Sequence, residues 1–185
     1  MTTVFVAGSI TIKNLDALIV ERLKKIVDSD FHVVVGDANG VDSSVQDVLV
    51  TLGSKQVTVF SSSESPRNNL GLWPVHVVKT HHASGTRAFF TAKDIKMAEE
   101  ADFGLMIWDA KSTGTLSNVL ELLKRKKSCV VFVNKIKKFI VIKSPEHLDE
   151  LLEHMSPGAV QKADEKIKLR EKIILLKNEQ MQMFT

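Results

Sequence analysis

Met97-Ala98-Glu99-Glu100-Ala101-Asp102-Phe103-Gly104-Leu105-Met106-Ile107-Trp108-Asp109-Ala110-Lys111-Ser112-Thr113-Gly114-Thr115 carries an apolar strand straight into the start of a helix. Phe103 to Trp108 is uncharged, as in a strand buried on both faces. Lys111 to Thr115 is then a turn of small residues, and Leu116, Val119, Leu120 and Leu123 beyond it form one helical stripe. N–H groups at a helix start have no internal partners, and the aligned peptide dipoles add partial positive charge. A phosphate or other anion is stabilised there. A second turn of this kind occurs earlier, where Val33-Val34-Val35 leads into Gly36-Asp37-Ala38-Asn39-Gly40-Val41-Asp42. Two such turns point to one nucleotide.

The same alternation runs through most of the chain. Thr3 to Ala7 reads as a buried strand ended by Gly8-Ser9, and Asn14 is the expected N-cap of a helix with Leu15, Leu18, Ile19, Leu23, Ile26 and Val27 on one face. After the strand His32 to Val35, Asp42 or Ser43 is expected to cap a helix carrying Val45, Val48, Leu49 and Leu52, which Gly53 ends. Val57 to Phe60 is a third strand, Ser61 to Gly71 a polar loop, Val75 to Val78 a short extended segment, and Ala88 to Glu100 a helix with Ala92, Ile95 and Ala98 inward. Cys129 to Val133 is a further buried strand with which Phe139 to Ile142 can pair. Ser144-Pro145 starts a helix that turns Leu148, Leu151, Leu152 and Met155 inward, and Ser156-Pro157-Gly158 breaks it. Leu169, Ile173, Leu176 and Met183 recur at roughly heptad spacing in the Lys/Glu-rich tail, as in a helix packed on its own domain or on a twin subunit.

Strands alternating with amphipathic helices give an α/β fold, a Rossmann-like three-layer sandwich with a mainly parallel sheet. The expected division is a nucleotide-binding domain over 1–155 and a C-terminal helical extension over 156–185. In such folds ligands bind at the carboxyl ends of the strands. Gly8-Ser9, Gly36 to Asp42, the Arg67 loop and Asp109 to Thr115 all fall at such ends.

Composition bounds the partners. The chain has 185 residues, 25% charged and 44% hydrophobic, which suits one globular domain and excludes dominant disorder. A formal net charge of +3 is too small to imply nucleic-acid binding by itself. The single cysteine, Cys129, excludes an intrachain disulfide and reads as a small buried hydrophobe. With neither a charged leader before an apolar stretch nor an apolar run long enough for a bilayer, the expectation is a cytoplasmic protein without membrane contact.

The candidate ligand-binding residues are Gly8, Ser9, Gly36, Asp37, Ala38, Asn39, Gly40, Asp42, Arg67, Lys93, Asp109, Ser112, Thr113, Gly114 and Thr115. Asp42 either contacts a ribose hydroxyl or caps the following helix, and Ser112 and Thr115 carry the same ambiguity. Asp109, just before the anion turn, is expected to touch a ribose or a metal-bound water. Arg67 offers forked donors for a phosphate or makes an exposed salt bridge. Lys93 and Asp94 face the pocket or the solvent. His81 and His82 lack a carboxylate or cysteine to complete a metal set, so no metal is expected. Lys124 to Lys127 complement a helix end, and with Lys135, Lys137 and Lys138 they form a basic patch without interleaved aromatic residues.

Gly8-Ser9, Gly36 to Asp42, Lys93 to Met97 and Trp108 to Thr115 together resemble the SLOG superfamily over about the first three quarters of the chain. That group joins the DNA-processing protein A fold, the Lonely Guy phosphoribohydrolases and many small Rossmann-like proteins. The resemblance to the small members implies binding or sensing of a nucleotide or nucleotide-derived ligand, with no further cofactor. The Lonely Guy motif Gly-Gly-x-Gly-Thr-x-x-Glu falls on Lys111 to Asn118, so its glutamate is Asn118 here, and its Arg-Lys pair falls on Lys93-Asp94. An amide neither takes a proton nor stabilises an oxocarbenium-like centre as a carboxylate does. The resemblance to deoxyribosyltransferases meets the same gap, because Asn118 replaces their glutamate and Glu121 points away from the helix start. Cleavage or exchange of an N-glycosidic bond would therefore need Asp42, Asp94 or Asp109 as its acid group. A DNA-associated protein is the third reading, and a homo-oligomer is expected.

Overall fold

The computed structural model describes residues 1–183; the last two residues of the expected extension lie outside the described residues. In chain order the elements are β1 (Thr3–Gly8), α1 (Ala17–Asp28), β2 (His32–Gly36), α2 (Val41–Thr51), β3 (Val57–Ser61), β4 (Val75–Val77), α3 (Arg87–Glu100), β5 (Phe103–Trp108), α4 (Thr113–Lys124), β6 (Cys129–Val133) and β7 (Lys138–Ile142). A 3₁₀ turn (Pro145–His147) and the helices α5 (Leu148–Glu153), α6 (Pro157–Ile167) and α7 (Leu169–Gln182) complete the chain.

The seven strands form one sheet in the order β4-β3-β2-β1-β5-β6-β7. All neighbours are parallel except β7, which returns antiparallel to β6 across the Asn134 to Lys137 turn. Side chains alternate between the two faces, as the two-residue period of a strand requires. Phe5, Ala7, Val34, Phe60, Met106 and Trp108 belong to one apolar cluster, with Met97 of α3 and Leu116 and Val119 of α4. Val4, Val6, Val33, Val35, Leu105 and Ile107 belong to the other, with Ile19 and Leu23 of α1 and Val45 and Leu49 of α2. The protein is therefore a Rossmann-like three-layer α/β sandwich. Ala163, Ile167, Leu169 and Ile173 of α6 and α7 share the cluster of α4, so the C-terminal helices cover the same core.

Several local expectations are corrected. Asp16, not Asn14, caps α1 by accepting from the Leu18 N–H, and Leu18 is left largely exposed. Neither Asp42 nor Ser43 caps α2; Gly40 does, at φ +79, with Asp42 inside the first turn. On α3 the buried residues are Lys93, Met97 and Ala98, on the side of the helix that packs against β1, β2 and β3, while Ala92 and Ile95 are only half-buried. Met183, expected on the apolar stripe of the tail, is exposed.

Candidate functional site

β1 sits between β2 and β5, and the chain turns outward through β2, β3 and β4 before it returns on the other side as β5. Loops leaving β1 and β5 therefore diverge, which opens a crevice at their carboxyl ends. Hydrogen bonds show that the expected turns gather there. Ser9, fully buried, accepts from the Val41 N–H through its carbonyl and from the Asp109 N–H through Oγ, and its Oγ lies 3.4 Å from Thr115 Oγ1. The N–H of Ser9 in turn donates to Ile107.

The turn from Lys111 leads into a helix start, as expected. Ser112 is the N-cap, and its Oγ accepts from the Thr115 N–H. Thr113 and Gly114 occupy the first two helical positions, where N–H groups have no intrahelical acceptor. A Cβ built on Gly114 meets nothing nearer than Ser112 Oγ at 3.9 Å. Space thus lies directly against the free amides. From α3, Arg87 donates through Nη2 to Thr113 Oγ1 at 3.2 Å, which brings a guanidinium to the same helix start.

The Gly36 to Asp42 turn is built differently. Gly40 has positive φ, and a Cβ there would collide with the backbone of Ile10, so the β1–α1 loop itself lies over this turn. A Cβ on Gly36 would lie 2.5 Å from Lys93 Nζ and nearer still to Asp42 Oδ2. Gly36 is therefore the gap through which α2 and α3, from opposite layers, place an acid and a base together. Lys93 Nζ donates to Asp94 Oδ1 at 2.8 Å and lies 3.8 Å from Asp42 Oδ2. A phosphate placed on this turn would meet the carboxylates of Asp37 and Asp42 rather than free amides.

These charges perturb one another. Burial pushes the Asp42 carboxyl up to about 6, against the pull of Lys93 and with help from the negative charge of Asp94. Burial would lower Lys93, but Asp94 and Asp42 outweigh it and hold the ammonium above its ordinary range. The shorter contact explains the asymmetry: Lys93 satisfies Asp94 first, and Asp42 keeps more of its desolvation cost. Asp37 would also rise by burial, yet hydrogen bonds from the Arg67 side chain and backbone hold it below its ordinary value.

Arg67 is fixed rather than free. Its Nη2 and Nε donate to Asp37 Oδ1 and Oδ2 at 2.8 and 3.3 Å, and its guanidinium carbon sits 4.6 Å over the Phe90 ring. The loop beneath is pinned by buried Gln46, which donates to the Gly36 and Asn68 carbonyls and accepts from the Leu70 N–H. Asn68 donates to the Asp37 carbonyl and to Asn39 Oδ1. Arg67, Asp37, Ser61, Ser84, Phe89 and Phe90 help to enclose a cavity of about 230 Å³. Another cavity, about 410 Å³, lies between Lys13-Asn14-Leu15 and the outer side of α2, and none of the expected site residues lines it.

Asp109 has a structural task. Its Oδ2 accepts from Thr11 Oγ1, and its Oδ1 accepts from the Lys111 and Ser112 N–H groups at 2.9 and 2.7 Å, clamping a turn in which Ala110 has φ +62. Burial would raise its carboxyl, but these hydrogen bonds hold it below its ordinary range. Asn118, at the glutamate position of the Lonely Guy motif, is buried on α4. The basic run is also engaged: Arg125 pairs with Glu121 and Glu99, and Lys127 donates to the Ala98 and Glu99 carbonyls. Burial pushes the Cys129 thiol up to about 12. Among the described residues no cluster of three or more His, Cys, Asp or Glu side chains is placed to hold a metal, and no helix is long and apolar enough to cross a membrane. Arg87 and Phe90 lie outside the candidate site residues read from the sequence; their i, i+3 spacing on α3 puts them on one side of the helix.

No protein-family model and no curated protein matches the chain. Its fold is similar to that of DNA processing protein A from Helicobacter pylori, a structure described for its single-stranded DNA binding mode. The two share 14% identity over 90% of this chain and 80% of that one, with a TM-score of 0.56. At that identity the likeness is one of fold.

Proposed function

We propose that this chain binds a nucleotide or nucleotide-derived small molecule at the carboxyl ends of its strands, as a binding or sensing module of the SLOG kind. The carrying observation is the start of α4. Free amides at Thr113 and Gly114, open space where Gly114 lacks a side chain, the Arg87 guanidinium and the nearby Ser9 and Thr115 hydroxyls together suit a phosphate. Gly8 and Ser9 form the floor of that crevice, and Asp42, Lys93 and Asp94 lie across the neighbouring strand end.

The test is a melting experiment with nucleoside mono- and diphosphates and dinucleotides, read together with release of free base. A ligand held only by the native state at a hundred times its Kd adds about 2.7 kcal/mol of apparent stability. Stabilisation without product supports a binding module. Release of free base assigns instead the N-glycosidic activity, for which buried Asp42 beside Lys93 is the acid best placed. Absence of any shift refutes the reading.

A DNA-associated role is the second reading, supported by the fold shared with a protein that binds single-stranded DNA. It requires oligonucleotide affinity that falls steeply with salt, since released counterions carry such binding. A homo-oligomer through α7, where Ile174 and Leu175 are more than half exposed, belongs to the same proposal and is tested by light scattering.

A further inference from the structure

The cavity beside Arg67 is not a second phosphate site, and its chemistry points to the other end of a nucleotide. Every strong donor of Arg67 that faces Asp37 is already used: Nη2, Nε and the backbone N–H all go to that buried carboxylate. A second anion would therefore meet a neutralised guanidinium with a carboxylate behind it. The Ser61 hydroxyl is likewise spent, on Asp37 and the Ser63 N–H; the other walls include the rings of Phe89 and Phe90, packed edge to face at 5.3 Å between centroids, and the hydroxyls of Ser63, Ser65 and Ser84. Hydroxyls both donate and accept, so they suit a neutral group with mixed hydrogen-bonding edges. A volume of about 230 Å³ holds one ring system but not a whole nucleotide.

The place of this cavity on α3 ties it to the phosphate end. Phe89 and Phe90 line it, while Arg87 of the same turn donates to Thr113 at the start of α4. Three residues of helix advance about 4.5 Å, so Arg87 and the Phe90 ring that lines the cavity lie within one turn of α3. The Arg67 guanidinium, seated over one face of Phe90, is fixed before any ligand arrives, because Asp37 locks Arg67 and Gln46 and Asn68 lock its loop. A planar guanidinium held in place beside aromatic rings favours stacking of a planar ring.

Resting on the reading under "Proposed function", we infer that the Arg67–Phe90 cavity is a nucleobase pocket, which takes a neutral purine or pyrimidine ring of the ligand whose phosphate sits at Thr113 and Gly114.

The experiment titrates the full chain with the four common nucleoside 5′-monophosphates, ribose 5-phosphate and inorganic phosphate, and repeats the series with Phe90→Ala and with Ser84→Trp. The second variant fills the pocket from an exposed loop position and leaves the core untouched. In the parent chain at least one monophosphate binds about tenfold tighter than ribose 5-phosphate, the gain one stacked base provides. Either folded variant erases that gain while its affinity for ribose 5-phosphate stays unchanged. Equal binding of monophosphates and ribose 5-phosphate by the parent overturns the pocket but leaves the phosphate site standing. So does a parallel loss for both ligands in Ser84→Trp. If no phosphate compound binds the parent, the site reading itself falls, and the pocket with it.

Discussion

Asp42→Asn should make this protein more stable at neutral pH, and the gain should vanish in acid. Asp42 is 5% exposed, and burial raises its carboxyl to about 6 from the ordinary 3.8. In the unfolded chain the group ionises near its ordinary value. Between those two values the native state binds more protons than the unfolded state, so stability falls as pH rises through that window. Below about pH 4 both states hold the proton and the full contribution is present; above the native value it is lost. At about 1.4 kcal/mol per pH unit, the gap corresponds to about 3 kcal/mol. Asparagine copies the neutral acid, and its oxygen keeps the place that accepts from the Ala38 N–H and faces Lys93. Lys93 retains Asp94 at 2.8 Å, so no cation is stranded. Urea unfolding of both chains from pH 4 to pH 8 should give curves that coincide near pH 4 and separate by about 3 kcal/mol above pH 7. A difference independent of pH, or an asparagine variant weaker than the parent at pH 7, would refute the argument that this carboxylate is ionised against its burial.

The two turn glycines should part company. Gly36→Ala forces a methyl between Asp42 and Lys93 and should cost about 1 to 3 kcal/mol by thermal unfolding, whereas Gly114→Ala should leave stability equal or higher by about 0.5 to 1 kcal/mol while weakening phosphate binding. A Gly114→Ala chain that binds as well as the parent would remove the phosphate from that helix start. Asp109→Ala strips three acceptor contacts from the Ala110 turn and should lower stability by about 2 kcal/mol in denaturant titration, even without ligand. Cys129, buried with its thiol raised to about 12, should react with an aromatic disulfide reagent in the native chain only at the rate of unfolding; prompt modification would contradict its burial.

What could be read along the chain was whatever depends on neighbours in sequence. Phe103 to Trp108 followed by Ser112 to Thr115 is visible as strand and helix start because burial on two faces and capping are both local patterns. The helix stripe of Leu116, Val119, Leu120 and Leu123 is equally plain. Lys93 shows the opposite case. A lysine beside an aspartate inside a charged helix faces a pocket or the solvent as far as its neighbours in sequence tell, and only the missing side chain of Gly36, more than fifty residues away, makes room to bury it. Arg67 could be read as a phosphate donor or a salt-bridge partner, and only the fold brings Asp37 to take its donors; Asp109 looked free for a ligand until Thr11 and its own turn took its oxygens.

The order of apolar and polar residues was sufficient by itself for a parallel α/β sandwich whose turns lie at strand ends, since those periods arise from burial within single elements. Which turn keeps open amides and which is filled by its own acids was settled only when β1, β2 and β5 came side by side. Hydrogen bonds and charges act over a few ångströms of space regardless of separation in sequence, so the partners of Ser9, Asp42 and Arg67 exist only in the folded chain.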